Sequence, residues 1–192
     1  MTPAWLSLAA AFESRCLRWA MKQIGAPYIW GGKGDQRFDV TLGLRPWTDG
    51  ELRAGRRGFD CSGLVLCAVR ETTGIDARSR WNAQSVHDAT REWEATPQIH
   101  ATLRFYGSSR TGISHIAFAF GPRTSIPGPA LVLEAAGGGS ECVSEAIARS
   151  KTKPACVRYV DDDRERVDFI SSVPLWALGV SLGAVERPPE KP

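Results

Sequence analysis

"RRGFDCSGLVLCAV", Arg56 to Val69, sets a cysteine between an aspartate and a serine-glycine pair, where a charged loop gives way to an unbroken apolar run. From Leu64 to Val69 every side chain is apolar, the pattern of a helix buried on most sides, and Gly74 supplies its stop signal. The spacing predicts a buried helix that opens at Cys61. A helix N-terminus offers a positive dipole end and unsatisfied N–H groups. A thiol placed there is a candidate nucleophile, since only the thiolate attacks, and the same N–H groups could bind the oxyanion formed on attack at a carbonyl. Gly63 is expected to keep the first turn open, so that a substrate can approach the backbone. The other reading of a cysteine, a small buried hydrophobe, is the one taken for Cys16, Cys67, Cys142 and Cys156.

Upstream, Thr2 and Pro3 read as an N-cap and first-turn pair, and Phe12, Cys16, Trp19 and Ala20 recur at helical spacing. That first helix should stop at Gly25, with Pro27 beyond. After the short aromatic segment "APYIWGG", residues 33–58 are rich in glycine, arginine and aspartate and read as a long surface excursion with room for a small hairpin. Downstream, Ser79 is expected to cap a third, amphipathic helix through Trp81, Val86, Ala89 and Trp93, closing before Pro97. The period then changes to two in "ATLRFYG" (101–107), "SHIAFAFG" (114–121) and "ALVLEAAG" (130–137), with "ACVRYV" from Ala155 as a fourth strand. Helices followed by consecutive strands predict an α+β domain with an antiparallel sheet. The domain should span residues 1–182, leaving 183–192 as a flexible tail.

The chain has 192 residues, 43% hydrophobic and 23% charged, which suits one packed core. No apolar stretch reaches the roughly 20 residues that would span a bilayer. The apolar start lacks a basic region and is interrupted by Glu13 and Arg15, so it reads as a first helix and not a signal peptide. Five cysteines without a CxxC pair leave at least one thiol free and suit synthesis in a reducing compartment. The three histidines, His87, His100 and His115, are scattered, so no metal site is expected. A net charge of +3, spread along the chain, predicts no nucleic-acid partner but would suit an anionic polymer such as a cell wall.

A thiolate nucleophile needs a base that later returns the proton. His87 falls mid-helix and reads as a surface residue; His100 sits in the turn after Pro97. His115 opens a strand in which Ala117 and Ala119 alternate with Ile116, Phe118 and Phe120, so its face is thin enough for a helix to pack closely. An imidazole must also be held in one orientation. Glu134, the one charged residue in "ALVLEAAG", lies on the next strand and could face His115. "GGKG" (31–34) lacks the remainder of a phosphate loop, and "EAAGGGS" has no lysine or clear helix after it. Both read as turns, and no cofactor is expected.

"GAPYIWGG" (25–32), "FDCSGLV" (59–65) and "ISHIAFAFG" (113–121), in this order and spacing, resemble the NlpC/p60 cysteine peptidases, over roughly Ala11 to Val160. The resemblance implies a papain-like α+β fold and hydrolysis of amide bonds in peptidoglycan stem peptides, commonly the bond from D-glutamate to a diamino acid. By matching position it makes Cys61 the nucleophile and His115 the base, and it places the Tyr28 hydroxyl beside the thiol to support the oxyanion. It further implies that Asp60 and Ser62 shape the acceptor site and, in members requiring a free stem N-terminus, help hold its amine. Three departures stand out. Glu134 occupies a position that is often histidine in the family, which would let a thiolate-imidazolium pair persist to higher pH. A usual P-G-D turn is replaced by "PQIHATLRFYG", and the 33–58 insertion is longer than the usual connection, as a lid, a specificity loop or an inert loop. "WGGKG", "LRFYG" and "EAAGG" resemble phage or prophage hydrolases, implying delivery by a virion or lysis machinery, with phage tail components as partners.

Three functions compete at this point. The first is a peptidoglycan endopeptidase working through an acyl-enzyme. The second keeps the Cys-His-Glu set but cleaves a different amide or transfers the acyl group. The third is a non-catalytic cell-wall or phage-tail binding module, which predicts an unreactive Cys61 and wall binding intact after Cys61→Ala.

Overall fold

Helix α1 (Ala4–Met21) opens the computed structural model, which describes residues 4–39, 41–53, 58–94, 101–108, 110–120, 131–161 and 169–188, with backbone alone at 38, 39, 161 and 169. Its buried face is the stripe Ala9, Phe12, Cys16 and Ala20, at helical spacing. Glu13 lies on the same buried face. Its carboxylate accepts the backbone N–H groups of Ala101 at 3.3 Å and Trp176 at 3.1 Å, which ties the first helix to a strand and a helix far along the chain. Thr2 and Pro3, expected to begin this helix, lie outside the described residues.

The 33–58 segment is more ordered than its composition suggests. Strands β1 (Gly32–Gly34), β2 (Gln36–Asp39) and β3 (Gly43–Pro46), the short helix α2 (Asp49–Arg53) and β4 (Gly58–Phe59) follow in turn, and the strands form an antiparallel sheet in the order β3-β2-β1-β4. Glu51 of α2 accepts from Arg37 of β2 at 2.6 Å and Arg45 of β3 at 2.8 Å, and these guanidinium groups hold its carboxyl well below the usual carboxylate range. "GGKG" is therefore mostly strand, not a turn.

Helix α3 (Cys61–Thr73) follows at once. It is buried from Cys61 through Val69 and ends at Gly74, whose φ of 78° is the left-handed C-cap position that glycine adopts without strain. The third helix starts later than expected: Asn82, not Ser79, accepts the Ser85 N–H at 2.9 Å and caps α4 (Ala83–Thr90), and a 3-10 turn (Arg91–Trp93) completes it.

The second sheet is antiparallel throughout, built from β5 (Ala101–Ser108), β6 (Gly112–Phe120), β7 (Leu131–Ala136), β8 (Cys156–Asp161) and β9 (Phe169–Pro174), in the order β8-β7-β6-β5-β9. A short helix, α5 (Glu145–Ser150), lies between β7 and β8. The four expected strands are all present. The fifth, β9, was not foreseen, nor was α6 (Leu175–Ser181), whose Trp176 packs edge-on against Trp5 and Trp93.

One face of this sheet carries Leu103, Phe105, Ile116, Phe118, Leu133 and Val173, which join α1, α3 and α6 in the main core. The opposite face carries a smaller cluster of Tyr106, Ala117, Ala119 and Val132. The main helical layer thus meets the bulky face of β6, not the thin alanine face. Part of the stretch read from sequence as a flexible tail is packed. Val185 is buried in the main core and Arg187 pairs with Glu92 at 2.9 Å while covering the Trp93 ring. No helix among the described residues is long and apolar enough to cross a membrane.

Candidate active site

Strand β4 delivers the chain to the start of α3. The Asp60 N–H donates to the Gly32 carbonyl at 2.9 Å, and the Asp60 carboxylate accepts from the Gly63 N–H as the N-cap of the helix. Gly63 N–H is thus taken by the cap side chain and Leu64 N–H by the Asp60 carbonyl, leaving those of Cys61 and Ser62 as the first-turn donors the cap does not engage. The space beside Gly63 is filled, contrary to the open turn expected there. A Cβ at this position would stand 2.1 Å from the Gly32 carbonyl oxygen, so glycine is required by the close approach of β1 to α3. Substrate has no access from that side.

Cys61 is 9% exposed, at the edge of a cleft of about 710 Å³ whose walls include Tyr28, Trp30, Trp81, Gln84 and Ile113. Gln84 fixes that wall by accepting the Ile113 N–H at 2.7 Å, joining α4 to the start of β6.

His115 reaches the site from the sheet. The β5–β6 ladder pairs Tyr106 with His115 and Gly107 with Ile113, skipping Ser114. Such a bulge sharpens the local twist and re-aims the neighbouring side chain. His115 packs against the Tyr106 ring with centroids 5.5 Å apart. Its Nε2 lies 2.9 Å from Glu134 Oε2. Glu134, fully buried on β7, follows Leu133 and so stands on the sheet face opposite the main core, the face of Val132 and Ala119. Arg158 of β8 approaches the same carboxylate at 3.6 Å. Cys61 is the other group that acts on the ring, so thiol and carboxylate both bear on its protonation. Burial disfavours the imidazolium, but the hydrogen bonds and charges of Cys61 and Glu134 outweigh it and lift His115 from 6.5 to about 9.

Tyr28 is brought to the same place. It is buried, it lines the cleft with Cys61, and its phenol is pushed up chiefly by burial, with the Asp60 carboxylate adding to the shift. The hydroxyl therefore remains a proton donor. The ring rests on Gly138, where a Cβ would come within 2.0 Å of it.

Asp60 and Ser62 also stand beside the thiol, and here sequence reasoning missed a residue. Lys33, 3% exposed, donates to Asp60 Oδ1 at 3.0 Å and to Ser62 Oγ at 2.7 Å. Nothing local signals this role, because it depends on β1 pairing with β4 and setting Lys33 opposite Phe59. His87 lies away from the cluster. It is not the plain surface residue expected from sequence: its side chain is 14% exposed, packs on Phe105 at 5.0 Å and lies 3.3 Å from Glu94. His100 lies outside the described residues.

The site is thus a thiol at a helix N-terminus, an imidazole held by a buried carboxylate, and a phenol beside them, on an α+β scaffold of papain-like type. Known proteins agree on the scaffold. The P60 domain of an antigen from M. avium paratuberculosis superposes with a TM-score of 0.50 at 18% identity, covering 88% of this chain and 94% of that one. Peptidoglycan endopeptidase RipA of Mycobacterium tuberculosis is 28% identical over 145 residues, 76% of this chain and 26% of the relative. RipA of Mycolicibacterium smegmatis is 28% identical over 113 residues, 59% of this chain and 20% of the relative. No family model matches the chain. The chain is thus similar in fold to a P60 domain and, at 28% identity, in sequence to two RipA endopeptidases. The chain spans about a quarter or less of the length of these curated relatives.

Proposed function

We propose that the protein is a peptidoglycan endopeptidase that cleaves stem-peptide amide bonds, with the D-glutamyl to diamino-acid bond as its target, by a thiol mechanism of Cys61, His115 and Glu134. The observation that carries this reading is the Nε2 to Glu134 contact of 2.9 Å on a histidine whose titration is also raised by Cys61. An imidazole oriented by a buried carboxylate and electrostatically coupled to a thiol is suited to take the thiol proton and hold it until the leaving amine needs it. The names of the relatives supply the substrate class.

In the proposed cycle the Cys61 thiolate attacks the scissile carbonyl. The developing oxyanion is met by the first-turn N–H groups and the Tyr28 hydroxyl. His115 returns its proton to the leaving amine as the C–N bond breaks, which leaves the acyl group on sulfur. Water, deprotonated by His115, then attacks the thioester; the acid departs and Cys61 is regenerated. Glu134 holds the ring and offsets its charge throughout. Delivery by phage, and phage tail components as partners, find no support in the relatives, which are mycobacterial.

The test is mass spectrometry of soluble products released from purified direct- and cross-linked peptidoglycan by wild type and by Cys61→Ala. New stem fragments should appear with wild type and fall at least about a thousandfold in the variant, because the nucleophile and its base act as a unit. Fragments released equally by both proteins would exclude the thiol mechanism. No fragments from any wall, with retained wall binding, would instead favour the binding-module reading.

A further inference from the structure

Lys33 sits in the first contact layer of the nucleophile's neighbours, and the reading above does not use it. Its ammonium is buried, and Asp60 Oδ1 and Ser62 Oγ accept from it at 3.0 and 2.7 Å. Ser62 in turn donates to the same Asp60 oxygen at 3.0 Å. A lysine is rarely buried without a partner, and removing that partner leaves an uncompensated charge. One oxygen of the carboxylate before Cys61 and the hydroxyl after it are therefore already engaged by an ammonium from the chain itself, which also offsets the carboxylate's charge.

The rest of the cleft does not compensate. Asp60 is its only lining carboxylate among the described residues, while Lys33, Arg37, Arg78 and Arg80 all line it. Arg37 is paired with Glu51, and Arg78 with Asp35 and Asp76, none of which lines the cleft. A ligand ammonium entering beside Cys61 must then either sit against Lys33 or displace it from Asp60 and leave it buried and unpaired. Both are unfavourable. A neutral amide at the same position meets neither penalty.

We propose that Lys33 is a built-in counter-ion that excludes peptides with a free ammonium on the acyl side of the scissile bond, and so selects stems whose N-terminus is acylated, as it is while the stem remains joined to the glycan. This rests on the endopeptidase reading. It makes Lys33 a specificity-determining residue, set by the β1–β4 pairing.

The test uses two synthetic stem peptides, L-alanyl-γ-D-glutamyl-diaminopimelate and its N-acetyl form, with kcat/KM measured for wild type, Lys33→Met and Lys33→Arg. Wild type should prefer the acetylated peptide by at least about tenfold, the scale of a like-charge penalty. Lys33→Met should narrow that ratio by improving the free-amine peptide, and Lys33→Arg should keep it. A wild type that cleaves both peptides equally, or a folded Lys33→Met with an unaltered ratio, would overturn the proposal. The wild-type ratio decides alone if Lys33→Met does not fold. The same pair titrated calorimetrically into Cys61→Ala separates the two readings. If neither peptide is cleaved but the acetylated form binds tighter, the endopeptidase reading fails and the role of Lys33 stands; equal binding, or tighter binding of the free amine, overturns it.

Discussion

At His115 two opposed effects meet, and their balance is measurable. Burial alone would make the ring neutral, yet Cys61 and Glu134 together carry it up to about 9. Replacing Glu134 by Gln keeps a polar side chain of similar shape and removes the charge. The His115 titration, followed by NMR of the ring, should then move down from about 9 toward 6.5, and Cys61 alkylation should change with it. An unchanged titration would remove Glu134 from the site. The same shift has a stability consequence. A folded-state value above the unfolded 6.5 means that the native state binds the proton more tightly, so the stabilisation is complete below pH 6.5 and is lost as pH rises through about 9. Thermal unfolding of wild type should weaken across that window, and Glu134→Gln should show a smaller fall. Cys61, His115 and Glu134 were legible as candidates because chemistry restricts such groups to a few residue types. Lys33 was not, because its role depends on a contact with residues far along the chain.

Two joints between elements hold the site, and each has its own test. Gly63 lets β1 lie against α3, with no room for a methyl group beside the Gly32 carbonyl. Gly63→Ala should therefore destabilise the protein by about 1–3 kcal/mol through overpacking, against the gain that alanine would bring to an exposed helix. Chemical denaturation measures this, and a stabilised variant would show that the two elements are not in close contact. Arg78 is the second joint. It is 2% exposed and donates to the Lys33 carbonyl at 2.9 Å, to Gln36 at 2.9 Å, to Asp76 at 2.7 Å and to Asp35, so it fastens the small sheet to the segment after α3. Both of its carboxylate partners are substantially exposed, so the salt bridges are worth less than fully buried ones. The larger loss on Arg78→Met comes from its buried hydrogen bonds, among them the stronger of the two donors to the Lys33 carbonyl, which keeps only the Cys67 thiol, and about 2 kcal/mol in a urea melt is the expected scale. Loss below about 0.5 kcal/mol would mean that the small sheet holds its place without this anchor. Helix α3 was legible as an element because one apolar run, one cap and one glycine agree. The 33–58 segment was not, since its strands are short and glycine-rich and are defined by one another.

Across the whole molecule, helices packed on one face of a five-stranded antiparallel sheet bring together groups from opposite halves of the chain. By itself the sequence determined the α+β class, the helix opening at Cys61 and four of the five strands of the larger sheet, and it singled out Cys61, His115 and Glu134 as candidates. These follow from local periodicity, caps and residue chemistry, which neighbouring positions suffice to express. Tertiary structure alone decided that α3 meets the bulky face of β6, that a bulge at Ser114 precedes the histidine, that Val185 belongs to the core, and that Lys33 fills the polar site beside the thiol. Each of these depends on which surfaces bury one another. A one-residue bulge or a pairing between distant strands redirects a side chain without altering the local pattern from which the element is read.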